Sequence, residues 1–510
     1  MKKMKRNISY SIISFLMACI FLGGCKKDLG NYNYSQINEL DTIAELPNEV
    51  TALVGKDLQL TPKIQFTQDS KFVEENYQYQ WTYIGSNGLG GSAIFSLSEE
   101  KNLNIKINLT AGNYQAYFSV TEKQTGIKYT RPFKLKVVNE INEGWVMMNE
   151  ANGKARVDML VLNASNNFDV YNDILAYTGS ELTLTGKPVM TYTYATGLLL
   201  GPDKISYGLY FGTDNGTTKV DPNTFKWTNT MGLNYEIIGA IPAGFYADVI
   251  QQRGSGASYL IGGGNAYFYE RALNTFYSAP INYVTSEEKG FEVAPFIGGW
   301  HRDISNPIIL YDKTNRRFVR HVSTASTCTT LIDPDKDLKL FSFKTGLDMI
   351  YMRWMAYNGG EIFAILKEPN GSKKYLARFN AVSTAQTYYN EITGTEIDKA
   401  EFFAFNPEFG YLFYSTGGRI YEYDMTYKTS KLMIDLGDKK VSYLNFYEFK
   451  NSTKYTSGNK LMVGFYDSKK TDGTEGSLNI YTVPGLNANI VLDQSYTGFG
   501  RIKSLTYRER

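Results

Sequence analysis

Cysteine is nearly absent from this chain: Cys19, Cys25 and Cys328 are the only three in 510 residues. Cys19 and Cys25 fall in an N-terminal apolar segment and its end, so no disulfide framework can form within one mature chain. Histidine is scarcer still, with His301 and His321 alone. One cysteine and two histidines leave a four-ligand Cys/His zinc site without ligands. No apolar run after the first 25 residues approaches the ~18 residues that a helical membrane span needs. Charge of one sign is also missing. Lys2, Lys3, Lys5 and Arg6 lie in a segment expected to be removed, and without them 49 basic residues face 51 acidic ones. No basic field remains to hold a nucleic-acid backbone.

What is present is hydrophobic and aromatic: 43% hydrophobic residues, with 40 Tyr, 29 Phe and 5 Trp. Such a composition belongs to a folded protein and excludes global disorder. Tyr favours strands, and most of these rings are expected in packing.

The N-terminus reads as an address. Met1 to Arg6 is basic, Ile8 to Leu22 is a 15-residue apolar run, and Leu22-Gly23-Gly24-Cys25 follows. The run is short for a span and suits a secretory signal. Its ending resembles the bacterial lipobox, which makes Cys25 the lipidated first residue after a signal peptide of residues 1–24. The following Lys27-Asp28 resembles the export signal that carries lipoproteins of Bacteroidota to the outer face of the outer membrane. Residues 25–40 are polar and aperiodic, a tether.

Residues 41–138 show short alternating segments at Leu58–Leu60, Tyr77–Trp81, Leu103–Ile107, Tyr114–Val120 and Phe133–Val138. Period-two patterning broken by turns predicts a β-sandwich of about 100 residues. Tyr79-Gln80-Trp81 and the stretch from Ala111-Gly112-Asn113-Tyr114 to Thr125-Gly126 resemble the polycystic-kidney-disease (PKD) type of immunoglobulin-like domain, with Trp81 as its core tryptophan.

From 139 to 510 a loose repeat appears. Strand ends recur at Asn163, Asp221, Glu270, Asp312, Asn380, Asp424 and Thr482, at intervals of 58, 49, 42, 68, 44 and 58. Hairpin repeats of this length predict a β-propeller, and seven of them predict seven blades. The first unit shows three strands, and the surplus strand near Arg501–Tyr507 is expected to complete it. No amphipathic helix is evident.

No catalytic constellation emerges. The cluster Gly298-Gly299-Trp300-His301-Arg302-Asp303 is dense in aromatic and polar groups. Trp300, His301 and Arg302 are its candidate contacts with ligand or partner, Arg302 through a carboxylate. A loop or core histidine bonded to backbone is the plainer account of His301, and His321 ends a strand. No Gly-x-Ser-x-Gly elbow is present. A carboxylate pair for glycoside hydrolysis cannot be picked from 51 acids. Asp333-Pro334-Asp335-Lys336-Asp337 has calcium-loop spacing, but Leu338 and Lys344 stand where an EF-hand needs Gly and Glu. Ile261-Gly262-Gly263-Gly264-Asn265 lacks a following Gly-Lys-Ser/Thr and reads as a hairpin turn. No metal, cofactor or catalytic residue is assigned.

Lipobox, Lys27-Asp28, the Gly30-Asn31-Tyr32-Asn33-Tyr34 start, the PKD-like stretch and Glu143-Gly144-Trp145 together resemble the PKD-like lipoprotein family of Bacteroidota. The resemblance implies a lipid-anchored protein of the outer-membrane surface, beside a SusC-like transporter and a SusD-like lipoprotein. It implies a non-enzymatic accessory role in capturing nutrient, oligopeptide more than glycan. The alternatives are a glycan-binding surface protein and a propeller glycan lyase or hydrolase.

Overall fold

The computed structural model describes residues 37–510, apart from 69–71, 87–90, 164, 197–204, 255, 271–275 and 456–457. These form two compact units, the first ending at Val137 and the second running from Val138 to Arg510. Among the described residues no helix is long and apolar enough to cross a membrane.

In the first unit the alternating pattern becomes a sandwich. One sheet takes the order Glu49–Leu53, Lys128–Val138, Gly112–Glu122, Tyr77–Ser86 and Ser92–Ser98, its last four strands antiparallel. Two shorter pairs, Leu40–Ala44 with Lys63–Phe66 and Asp57–Leu60 with Leu103–Lys106, share a single apolar cluster with it. Trp81 lies fully buried in that cluster, its ring centroid 4.2 Å from Phe118 and 5.9 Å from Phe133. The indole N–H donates to the Glu100 carbonyl at 3.0 Å, which removes the cost of burying it unpaired. Trp81 is thus core, as its place in an alternating strand implies. The Thr-Gly turn joins Gly112–Glu122 to Lys128–Val138, with Gly126 in the left-handed region at φ 72°.

In the second unit seven antiparallel sheets follow among the described residues. The first contains Arg501–Arg508, Gly144–Ala151, Lys154–Leu162 and Phe168–Tyr171, in that order across the sheet. The second has Pro188–Ala195, Tyr207–Thr213 and Gly216–Val220, and the third Val249–Arg253, Ala257–Gly262 and Asn265–Glu270. Ile308–Asp312, Arg317–His321 and Thr329–Thr330 make the fourth. The fifth runs Asp348–Met355, Glu361–Lys367, Lys374–Phe379 and Gln386–Glu391, and the sixth Phe402–Phe405, Leu412–Thr416, Arg419–Asp424 and Thr429–Asp435. Lys440–Phe446, Leu461–Tyr466, Gly476–Thr482 and Val491–Phe499 complete the seventh.

Each sheet buries both faces. In Glu361–Lys367, Ile362, Ala364 and Leu366 meet the fourth sheet, while Phe363 and Ile365 meet the sixth. Burial on both sides selects continuous apolar runs such as Ile362-Phe363-Ala364-Ile365-Leu366 rather than alternation. Seven apolar clusters join successive sheets, and one of them packs the seventh sheet against the first, with Met462 and Leu478 on one side and Trp145 and Met147 on the other. The unit is nearly all-β and propeller-like. Its one described α-helix is Ile174–Thr178, capped by the Asp173 side chain and stopped by Gly179 at φ 65°. Five residues are too few to show a helical period, so the sequence does not announce it.

Two other details refine the sequence reading. Six of the seven repeat positions fall at the end of the third strand of a sheet, but Asp312 ends Ile308–Asp312, one strand earlier. The leading place of the fourth sheet belongs to an irregular segment, where Ala294 donates to Tyr311 and Gly298 exchanges hydrogen bonds with Ile309. Pro295 lacks the N–H that a regular ladder would need there. That offset accounts for the short interval of 42 followed by the long one of 68. The Gly-rich stretch is a hairpin, with Gly262 paired to Asn265 and both Gly263 (φ 58°) and Gly264 (φ 75°) left-handed.

Two predictions come from this packing. Glu422, in Arg419–Asp424, is 2% exposed, and neither carboxylate oxygen has a hydrogen-bond partner. Burial raises its pKa to about 7, against a smaller opposing effect of Lys431. The native state therefore holds a proton that the unfolded chain releases near pH 4.5, so this contribution to stability is present in acid and lost as pH rises through 7. Glu422→Gln should leave stability at pH 4 unchanged and raise it at pH 8 by about 1–2 kcal/mol, a figure reduced for solvent screening. Urea unfolding at the two pH values reads the difference. Deleting Arg501–Arg510 strips the first sheet of its leading strand, and such a chain should lose its near-ultraviolet circular dichroism and migrate as an expanded species on gel filtration.

Candidate functional site

The leading strands of several sheets converge on a cavity of about 390 Å³. Tyr192 comes from the second sheet, Gln251 from the third, Arg353 from the fifth, Tyr443 and Asn445 from the seventh and Thr506 from the C-terminal strand. Each lies on the leading strand of its sheet, and some also pack between sheets, as Tyr192 and Tyr443 do. His301, Tyr447, Glu448 and Lys450 also line it.

The Gly298–Arg302 loop is held from below. Arg253, 2% exposed, donates to the Trp300 carbonyl at 2.5 Å and to the Asn306 carbonyl at 2.6 Å. Gln251 donates to the Gly299 carbonyl at 2.5 Å, and Gly254 N–H to the His301 carbonyl at 2.9 Å. A side chain at 299 would stand 2.5 Å from Ile308 Cγ2 and 2.7 Å from Arg253 Nη1. Glycine is needed there for close approach.

The structure brings the three sequence candidates together but divides their roles. Trp300 stacks on Trp354 (centroids 5.4 Å apart, planes at 18°), and its indole N–H donates to Glu448 Oε1 at 3.0 Å. Arg302 sits over the same ring at 5.6 Å. Its guanidinium donates to Ser452 Oγ at 2.5 Å and to the Phe449 carbonyl at 2.8 Å. These two residues clamp the loop to the segment after the seventh sheet's leading strand; Arg302 is spent on internal acceptors rather than offered to a carboxylate. His301 alone of the three lines the cavity. Its Nδ1 is 3.7 Å from Glu448 Oε2, and Nε2 has no partner.

Burial pulls the His301 pKa down to about 3, helped by the nearby charges of Lys450, Arg302 and Arg353. At neutral pH the ring is uncharged, so its approach to Glu448 is not an ion pair. His321 is a core residue: Nδ1 meets Tyr259 Oη at 2.8 Å, Nε2 meets the Ala325 carbonyl at 2.8 Å, and burial lowers its pKa to about 4. Cys328 is equally inert, its thiol buried and pushed up to about 12.

Two cations that sequence reasoning missed dominate the cavity. Arg353 donates to Asn445 Oδ1 at 2.5 Å. Lys450 Nζ donates to Tyr447 Oη at 3.2 Å and lies 4.7 Å from the Tyr192 ring centroid. Burial works against the charge on Lys450, but Tyr447, Tyr192, Tyr207 and Glu509 outweigh it and the pKa rises. Neither cation is in an ion pair among the described residues. Glu448 is the acid in the lining. The signal available was faint: Arg353-Trp354 and Glu448-Phe449-Lys450 put charge beside aromatics in apolar segments, yet nothing local says that they meet.

Elsewhere, Asp333 is taken by Lys339 at 2.8 Å and by the Phe343 N–H at 2.8 Å. No group of three or more metal-ligating side chains occurs among the described residues. Cys25, Lys27 and Asp28 lie outside those residues.

Residues 25–188 match the model of the PKD-like family. No curated protein matches the chain. Among solved structures it is similar to a quinoprotein alcohol dehydrogenase-like protein of Bacteroides thetaiotaomicron, with 11% identity and a TM-score of 0.43 over 93% of this chain and 100% of that one. A DUF4784 family protein of Bacteroides caccae has 11% identity and a TM-score of 0.32 over 92% and 98%. The extracellular domain of a protein described as a hybrid two-component system of B. thetaiotaomicron has 10% identity and a TM-score of 0.39 over 89% and 67%. Likeness this distant carries no chemistry.

The electrostatics yield a direct test, since the chain has only two imidazoles. Long-range nitrogen NMR should find both rings neutral from pH 8 down to pH 5. Protonation of His301 near pH 6.5 would mean that the ring is not buried beside the cations as described.

Proposed function

We propose that this chain is a non-enzymatic surface lipoprotein, anchored through Cys25 to the outer face of the outer membrane. In this reading the seven sheets close as one seven-bladed propeller, and the chain works beside a SusC-like transporter and a SusD-like lipoprotein to capture oligopeptide. The observation that carries a binding role is the cavity itself, a small-ligand volume walled by tyrosines with two cations left without acidic partners. Glycoside hydrolysis asks for two carboxylates across the bond, whereas the lining offers Glu448, already accepting from Trp300. A neutral His301 without an aligned partner offers no activated nucleophile or base. The address residues and the family resemblance support the location and the partners.

Extraction of the native outer membrane in mild detergent, followed by mass spectrometry of proteins and small molecules, tests this reading. Recovery of a SusC-like and SusD-like pair with bound peptides is the expected result. Recovery of the chain alone, or turnover of a glycan by the purified protein, would remove it.

A further inference from the structure

We infer that the central cavity recognises the end of its ligand rather than its middle, and that Arg353 and Lys450 hold a single terminal carboxylate, as at the C-terminus of a short peptide. This rests on the reading of the cavity as the binding surface.

Three observations lead there. First, both cations are held by neutral groups. Asn445 orients Arg353 and leaves further guanidinium N–H groups to donate, while Tyr447 and the Tyr192 ring position Lys450. A cation fixed by neutral partners keeps its charge for the ligand, and charge-assisted bonds to a carboxylate are the strongest it can make. Both cations line the same cavity, beside His301. Second, the charge balance suits a monoanion. Two cations and the Glu448 carboxylate sum to one net positive charge, and His301 adds none. A dianionic phosphate would bring excess negative charge toward Glu448, and a peptide's ammonium end would meet two like charges. Third, a cavity of about 390 Å³ encloses a few residues and no more. Tyr351 and Tyr443 on its walls present rings against which peptide side chains can pack. A chain end can finish within such a partly open volume.

Uronic acid sugars carry the same group, so the test separates the two sources. Binding to the full chain in detergent is measured by calorimetry with pooled pentapeptides bearing a free C-terminus, with the same pool amidated, and with oligogalacturonides. Arg353→Met and Lys450→Met are measured alongside, with thermal unfolding as the check on folding. The expected result is that amidation weakens binding at least about tenfold, and that each substitution removes the preference for free acid over amide. Because the amidated pool alters only the ligand, that comparison stands even where a variant folds poorly. Equal binding of the two pools would overturn the end-recognition while leaving peptide capture intact. Binding of oligogalacturonide but of neither peptide pool, lost in Arg353→Met, would keep the carboxylate site and overturn the peptide cargo. Binding of none of the three would overturn the carboxylate site.

Discussion

The pairing of Arg501–Arg508 with Gly144–Ala151 is the constraint on which the second unit rests. It unites chain segments as far apart as Glu143 and Tyr507, whose side chains share a hydrogen bond of 3.0 Å across 364 residues. Without it the first sheet would show an unpaired leading edge, and the cluster that packs the seventh sheet against the first would lose Ile502, Leu505 and Tyr507. The junction carries a cost. Arg508 is wholly buried with no carboxylate, bonded instead to the carbonyls of Ile141 and Pro222. Burial, and then the like charge of Arg510, depress its pKa well below the ordinary guanidinium value, against a smaller opposing effect of Asp221. Placing the last ordered turn of chain against Pro222 makes the strand's end as fixed as its middle. The same strand reaches the second sheet, where Thr191 N–H donates to Ser504 Oγ and the Thr193 hydroxyl to the Tyr507 carbonyl.

That strand also supplies Leu505 and Thr506 to the cavity, so the packing of the seventh sheet against the first and the site are one problem. A sheet whose two faces are sealed by its neighbours has only its leading edge left for polar side chains. Tyr192, Gln251, Arg353, Asn445 and Thr506 occupy such edges, and the Gly298–Arg302 loop beside them is pinned both through its backbone carbonyls and by the Trp300 and Arg302 side chains. Chemistry therefore concentrates where packing does not decide the residue.

This division explains what was legible. Continuous runs such as Ile362–Leu366 and strand ends such as Asp424 follow from local burial, and they declare an all-β chain of hairpin repeats without any knowledge of the whole. Trp81 is equally local, because alternation in its own strand decides its face. The fourth sheet defeats the same logic: Pro295 breaks the pattern of the leading segment, so the eye takes Ile308–Asp312 for a later strand. At the site, Gly298–Arg302 stands out because close approach demands glycine and the loop concentrates aromatic and polar groups. What Trp300 and Arg302 do with those groups depends on Glu448 and Phe449, nearly 150 residues away. Arg353 and Lys450 stay hidden for the same reason, since each looks like an ordinary strand or loop cation until the ring of sheets brings them together.

A comparison of two lysines shows what separates a structural charge from one available to a ligand. Lys219, 1% exposed between the second and third sheets, meets Glu236 at 2.7 Å, and Tyr210 donates to both oxygens of the same carboxylate. Its charge is consumed, and the network serves to fix how those sheets meet. Lys450 is only half-buried, and its neighbours are a phenol oxygen and an aromatic face, which orient an ammonium without cancelling it. Glu509 accepts from the backbone N–H groups of Lys450 and Asn451, at 2.6 and 2.7 Å, so it steadies the loop and favours the ammonium without an ion pair to it. An ammonium that phenols and an aromatic face orient without an ion pair keeps its attraction for an anion, and an anion bound there would add to stability by mass action.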